Sequence, residues 1–317
     1  MRAVRRLPLA LLLAVAAWPG LAHAQQPPQL PRGGTELFPQ FRVVAFAGTP
    51  GVPELGALGK GSLPGAVKRL RRQARAYHRS GRPVLPALDL IATICSAGPG
   101  ADGKFRYRRS MRIGEQHLAA ARGARALLII HIQPGRSTFM DELRPYRRFL
   151  SEPDVGIALD PEWRMGPGQR PGKVIGSADA DEINAVSAYM DRVVEREGLP
   201  QKLLVAHQFT PNMIRRRSRV RQRPGVAVTV SIDGVGSRAE KEGTYHRLAR
   251  AGDGLAMVLN ADGFGGREVK VAKYRRFSRA APDFHRGFKL FYEEDGREMT
   301  PAQVLALRPQ PDFVVYE

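Results

Sequence analysis

The feature that most constrains the fold is an alternation that begins at Arg42, in which short β-branched or aliphatic runs are each followed by an amphipathic stretch of helical length. Apolar runs of this length bounded by turn residues read as buried strands, and strand–helix alternation is the signature of βα units around a parallel sheet. The runs are residues 42–47, 84–91, 126–133, 155–163, 202–208, 226–233, 255–262 and 287–292. Helical patterns fall at 64–79, 110–122, 138–150, 180–197 and 212–219, with a last short helix at 301–307 and a terminal run at 313–316. Asp179 with Glu182 three residues on forms a capping-box pattern at the start of the fourth helix. Eight such units in one chain predict an α/β fold, a single-domain TIM (β/α)8 barrel. An open doubly wound sheet is the alternative, but it leaves edge strands that the pattern does not protect.

An internal repeat supports the count. Residues 225–250 match 254–279 at a constant offset of 29, pairing Asp233 with Asp262, Gly234 with Gly263, Gly236 with Gly265 and Tyr245 with Tyr274. A gap-free match from strand through loop to helix predicts two copies of one βα unit, each ending its strand in Asp-Gly-x-Gly. A full nucleotide-binding G-x-G-x-x-G is missing from both copies, so the glycines read as tight turns into helices.

Upstream of the alternation, Arg2, Arg5 and Arg6 precede an apolar stretch, and Ala22-His23-Ala24 supplies the small residues of a cleavage site. The expected division is a signal peptide over 1–24, a Gln/Pro/Gly-rich disordered leader over 25–40 and the barrel over 41–317. The mature protein is then secreted, periplasmic or extracellular, and no later segment reaches the length of a transmembrane span. Removing the three leader arginines, with no acids, lowers the formal charge from +20 to +17, so the basic excess belongs to the mature chain. Such a field favours anionic partners, an acidic cell-wall polymer among them. No nucleic-acid-binding module accompanies the charge, so no specific nucleic-acid partner is expected. Cys95 is the only cysteine, which rules out an internal disulfide, and a small buried hydrophobe is its plainest role.

Barrel active sites lie at the C-terminal ends of the strands. Residues at those ends here include Asp89, His131 and Gln133, Asp160 with Glu162 and Trp163, His207 and Gln208, Asp233, Asn260 and Asp262, and Lys289 and Tyr292. The central stretch is V-G-I-A-L-D-P-E-W, residues 155–163. Side chains alternate along a strand, so Ala158, Asp160 and Glu162 share a face, and Pro161 ends the ladder with Glu162 and Trp163 on the exit loop. Two neighbouring carboxylates push one pKa upward, which keeps one of them protonated as a general acid for glycoside hydrolysis. Trp163 offers a face on which a sugar ring stacks. On this reading Glu162 is the acid, Asp160, Asp233 and Asp262 assist it, and Trp163, His131, Gln133, His207, Gln208, Asn260, Asp89 and Tyr292 contact substrate, with no cofactor or metal.

The Asp160-Pro161-Glu162 motif at the end of a fourth strand resembles the D-x-E of family 25 lysozymes and, more distantly, of family 18 chitinases. That resemblance implies a general-acid role for Glu162 with Asp160 assisting, on a carbohydrate such as a cell-wall glycan. Over the whole mature chain, with R-V-V-A-F, I-A-L-D-P-E-W, A-H-Q-F-T, the D-G-x-G strand ends and F-K-L-F-Y-E-E-D, it resembles a group of secreted or lipid-anchored bacterial proteins, a resemblance that implies no activity. Two other readings stand beside the glycosidase. One is a metal-dependent hydrolase using His131, Asp160, His207 and Asp233, although no H-x-H or H-E-x-x-H spacing is present. The other is a non-catalytic barrel that binds a wall polymer or polysaccharide.

Overall fold

The computed structural model describes residues 27–78, 81–250 and 284–317. Eight parallel strands close on themselves: β1 (Arg42–Gly48), β2 (Val84–Cys95), β3 (Leu127–Ile132), β4 (Val155–Leu159), β5 (Lys202–Gln208), β6 (Val226–Ile232), β7 (His285–Leu290) and β8 (Phe313–Tyr316). Each pairs with the next, and β8 returns to β1 through Val43 opposite Phe313 and Phe46 opposite Tyr316. Helices α1 (Leu63–Arg75), α2 (Met111–Gly123), α3 (Phe139–Leu143), α4 (Ala180–Glu197), α5 (Arg238–Arg250) and α6 (Pro301–Ala306) lie between strands. The fold is the expected (β/α)8 barrel.

The period-two alternation of the strands divides their side chains into two clusters. Val43, Ala45, Leu85, Ala87, Leu127, Ile129, Ala158, Leu203, Val205, Ala227, Phe313 and Val315 fill the interior. Their neighbours, among them Val44, Leu88, Ile130, Ile157, Leu204, Val228 and Val314, pack outward against Leu70, Leu118, Ile183 and Met190 of the helices. Small residues make the interior fit. A Cβ at Gly156 would come within 2.7 Å of the Leu203 carbonyl, so glycine there lets β4 and β5 approach.

Three expectations about the chain's course differ from the structure. Residues 287–292 were to form the eighth strand, with 255–262 as the seventh. Instead β6 pairs directly with β7, Thr229 opposite His285 and Ile232 opposite Phe288, and the terminal run Phe313–Tyr316 supplies the eighth strand. The 255–262 run, with Asn260, Asp262 and the second repeat copy, lies outside the described residues, as does the signal peptide. The 25–40 segment was to be a disordered leader, but Leu30, Leu37 and Phe38 are buried with Phe41 against the interior cluster. Its apolar residues close the N-terminal end of the barrel, and the burial of three large side chains offsets the ordering of a Pro/Gly-rich segment. The expected helix at 212–219 is instead a pair of 3-10 turns (Pro211–Met213 and Arg217–Arg219) flanking a two-residue strand.

Because β8 joins both β1 and β7, it holds the barrel closed. Phe313, Val314, Val315 and Tyr316 are each fully buried, and at about 1.5–3 kcal/mol per buried side chain their loss rivals the whole stability of a domain. Truncation after Asp312 is expected to abolish cooperative thermal unfolding, read by circular dichroism. A truncated chain that melts within a few degrees of the full one would contradict this closure.

Candidate functional site

The alternation that fills the interior with aliphatics places charge at its C-terminal end. Asp89 on β2, His131 on β3, Asp160 just beyond β4, His207 on β5, Asp233 just beyond β6 and Lys289 on β7 continue the inward-facing register, and Glu317 follows β8 in the same phase. The ladder extends one residue past several strands, with amides of Gln133, Asp160, Asp233 and Glu317 donating to the carbonyls of Thr93, Ile132, Gln208 and Leu290. These bonds fix the backbone under four of the site residues.

The buried groups form two linked chains. His131 Nδ1 lies 3.1 Å from Asp89 Oδ1, and its Nε2 lies 2.8 Å from Asp160 Oδ1. Gln133 Nε2 donates to the other Asp160 oxygen at 3.0 Å, while Gln133 Oε1 accepts from the Cys95 amide. On the far side, His207 Nδ1 lies 2.6 Å from Asp233 Oδ2, and Ser231 Oγ donates to Asp233 Oδ1 at 2.8 Å. Lys289 Nζ stands 3.7 Å from Asp233 and 2.6 Å from Glu317 Oε2. The two imidazoles join the chains, stacked with centroids 4.8 Å apart and planes 3° from parallel.

Above this layer opens a cleft of about 750 Å3, lined at its floor by Gln133, Asp160, Glu162, Asp233, Lys289 and Glu317. Its size is that of a small-molecule or polymer-segment site. Trp163, Phe209, Phe291, Val174, Ile175 and Val235 give it an apolar rim. Val174, Ile175 and Val235 are exposed, Ile175 and Val235 at 55% each, and together give the cleft mouth an apolar surface open to solvent. Glu162 rides on a 3-10 turn, Pro161–Trp163, that follows β4 directly. The Gly176 amide donates to the Glu162 carbonyl at 2.7 Å, and a Cβ at Gly176 would fall within 2.7 Å of that oxygen, so only glycine permits the strap that holds this turn.

Electrostatics separates the two acids of the motif. Burial works against a charged Asp160, but His131, then His207 and Lys289, keep its carboxyl ionised, well below the usual carboxylate range. Burial pushes Glu162 the other way, and the charges of Asp160 and Asp233 add to it, so its proton affinity is far above that of a free glutamate. Its Oε2 is shut off from solvent with no hydrogen-bond partner among the described residues. Burial disfavours the His131 cation, yet Asp160 and Asp89 outweigh it and hold the imidazolium well above the ordinary histidine range. Lys289 is likewise opposed by burial and held charged by Glu317, Asp233, Asp160 and Glu162. The result is one protonated acid beside an ionised one, the division of labour that acid catalysis requires.

Of the residues expected at the site, Asp160, Glu162, Trp163, Gln133 and Asp233 line the cleft together. His131, His207 and Asp89 are fully buried beneath the floor, where they support its carboxylates and do not reach a substrate. Gln208 does not join them. It faces away from His207 on the same strand, and its amide donates to the Thr210 and Pro211 carbonyls. Tyr292 falls outside the cleft, stacked on Tyr316 at 5.4 Å. Asn260 and Asp262 lie outside the described residues. Burial pushes the Cys95 thiol up to about 12, away from the thiolate form that a nucleophile uses. Glu317 was missed, and the period-two series Phe313, Val315, Glu317 points to it.

Asp89, His131 and His207 bring ligand atoms within 4.8 Å of one another, a spacing that a metal ion could bridge if the donors converged. Both His131 nitrogens already lie beside carboxylates, and His207 Nδ1 meets Asp233, so among the described residues only His207 Nε2 of the pair has no carboxylate next to it. Imidazole lone pairs lie in the ring plane, so two stacked parallel rings do not converge on an ion between them. This donor set does not fit a metal centre.

No known family model and no curated protein matches this chain. No helix among the described residues is long and apolar enough to cross a membrane.

His131 is the link whose removal should cost most, since Asp89 and Asp160 would then be buried without their cation. His131→Gln is expected to destabilise by about 3–5 kcal/mol, read from denaturant midpoints. The stabilisation from His131 is complete below its ordinary value of 6.5 and is lost as pH rises through the elevated folded-state value, so the variant's deficit should shrink at alkaline pH. A deficit under about 1 kcal/mol at pH 6, the size of an ordinary surface ion pair, would contradict the role.

Proposed function

We propose that this barrel is a glycoside-hydrolase-like enzyme that acts on a carbohydrate, with Glu162 as the general acid. The observation that carries this reading is the raised proton affinity of Glu162 beside an ionised Asp160 in an open cleft. The protonated Glu162 carboxyl donates to the glycosidic oxygen as the bond to the leaving sugar breaks. Asp160 and Asp233 supply negative charge beneath the positive charge that develops on the ring. Both oxygens of each aspartate already have partners, so they act here as fixed charges, and water attacks the anomeric carbon and gives its proton to the carboxylate left on Glu162 by the first transfer. The apolar rim around Trp163 suits the C–H faces of sugar rings. A metal-dependent hydrolase is disfavoured by the orientation of the two imidazoles, and a secreted, wall-directed protein agrees with the leader and the charge.

The test is hydrolysis of reduced-end-labelled oligosaccharide panels by the wild type and by Glu162→Gln. Loss of general acid catalysis predicts a fall in kcat of about 100- to 10,000-fold with KM little changed. Wild-type activity should decline as pH rises through the elevated Glu162 value, well above the usual 4.5, because the acid is active only while protonated. A variant as active as the wild type sinks the assignment. Tight glycan binding without turnover by the wild type would turn the reading to a polysaccharide-binding barrel.

A further inference from the structure

We propose that the outer face of α1 is a separate docking site for a linear phosphate polymer, which tethers the protein while the cleft handles another ligand. Helix α1 carries Lys68, Arg69, Arg71, Arg72 and Arg75 and no acidic residue. A groove of about 430 Å3 is lined by these five with Pro64 and Val67. A second groove of about 220 Å3 shares Arg71 and Arg75 and adds Arg32, His78, Ala74 and Pro86. No carboxylate lines either groove among the described residues. Elsewhere the arginines are commonly paired, as Arg106 and Arg108 are on Glu142, Arg122 on Asp154 and Arg216 on Asp179. Lys68, Arg71, Arg72 and Arg75 have no such partner among the described residues. Arg69 is spread between the Ala57 and Lys60 carbonyls, which stiffens the patch without neutralising it. Like charges crowded this way cost stability unless an anion relieves them.

The cleft has the opposite character. Besides the protonated Glu162, Asp160, Asp233, Glu294 and Glu317 line it against only Lys173 and Lys289, so a polyanion is repelled there although the whole chain is +20. The anionic partner expected from net charge therefore belongs to the α1 face. Five cations within one stretch of helix rising about 10 Å match a chain with an anion on every backbone unit. A uronate polymer carries its charges a whole sugar ring apart. Arginine's fork suits phosphate oxygens. Neither groove offers a Phe, Tyr or Trp on which bases stack, which argues against single-stranded nucleic acid. No large exposed apolar side chain lines them to enter a bilayer.

The experiment is fluorescence-anisotropy titration of labelled linear polyphosphate at several salt concentrations, with charge-matched polygalacturonate and a single-stranded oligonucleotide as competitors. The protein is compared with the triple variant Arg71→Glu, Arg72→Glu, Arg75→Glu and with the control Arg144→Glu, Arg147→Glu, Arg148→Glu on a different face. All three α1 positions are exposed, so thermal melting should stay within a few degrees and shows that the variant folds. The site predicts a loss of affinity of at least about tenfold and a shallower salt dependence in the α1 variant, little change in the control, and polyphosphate as the strongest ligand. Equal losses in both variants would reduce the effect to overall charge, and wild-type affinity in the α1 variant would remove the site. Preference for the uronate or the oligonucleotide would overturn the assigned ligand.

Discussion

The site depends on a single interaction, the His131 imidazolium held between Asp89 and Asp160. Three groups with almost no solvent contact are tolerable together only because the cation sits between two anions. That arrangement keeps Asp160 ionised, and its charge, with that of Asp233, adds to the burial that raises the proton affinity of Glu162 two residues along the chain. The state of Glu162 thus depends in part on His131 and Asp89, which lie buried beneath the cleft floor. His207 carries the same logic to the far wall by stacking on His131 and bonding Asp233.

The fold makes this possible by simple periodicity. Inward positions along each strand pass from aliphatic residues to a charged layer at the C-terminal end, as Leu85 and Ala87 give way to Asp89, and Leu203 and Val205 to His207. Seven of the eight strands contribute a titratable side chain to that layer: Asp89, His131, Asp160, His207, Asp233, Lys289 and Glu317. Only β1 ends otherwise, in Ala47 and Gly48. Gly48 adopts φ +141° and lies against the Gly56–Gly59 turn, where a Cβ would meet the Gly59 amide nitrogen at 2.8 Å. The gap in the charged ring is thus a place where backbone packs on backbone.

Much of this was legible in the sequence, for physical reasons. The first six strands stand out because their apolar runs are long enough for the alternation to show, and the acids and histidines at their ends follow from it. The eighth strand was hidden, since Phe313–Tyr316 is only four residues long and the repeat at 254–279 offered a more conspicuous candidate. Glu317 was lost with it. Gln208 was misjudged because the period of two that turns His207 inward turns its neighbour outward. The leader was misjudged because composition alone does not reveal that Leu30, Leu37 and Phe38 fit the open end of a barrel. Net charge pointed to an anionic partner without saying where, and only the arrangement of side chains separates the basic α1 face from the acidic cleft.

The most direct measurement of the central claim is the ionisation of Glu162 itself, followed through the 13C shift of its labelled carboxyl across a pH titration. The structure predicts a carboxyl that stays protonated well above 4.5 and moves back toward that value in Asp160→Asn and Asp233→Asn. A Glu162 that titrates at the ordinary glutamate value in the wild type, unmoved by either substitution, would contradict the account.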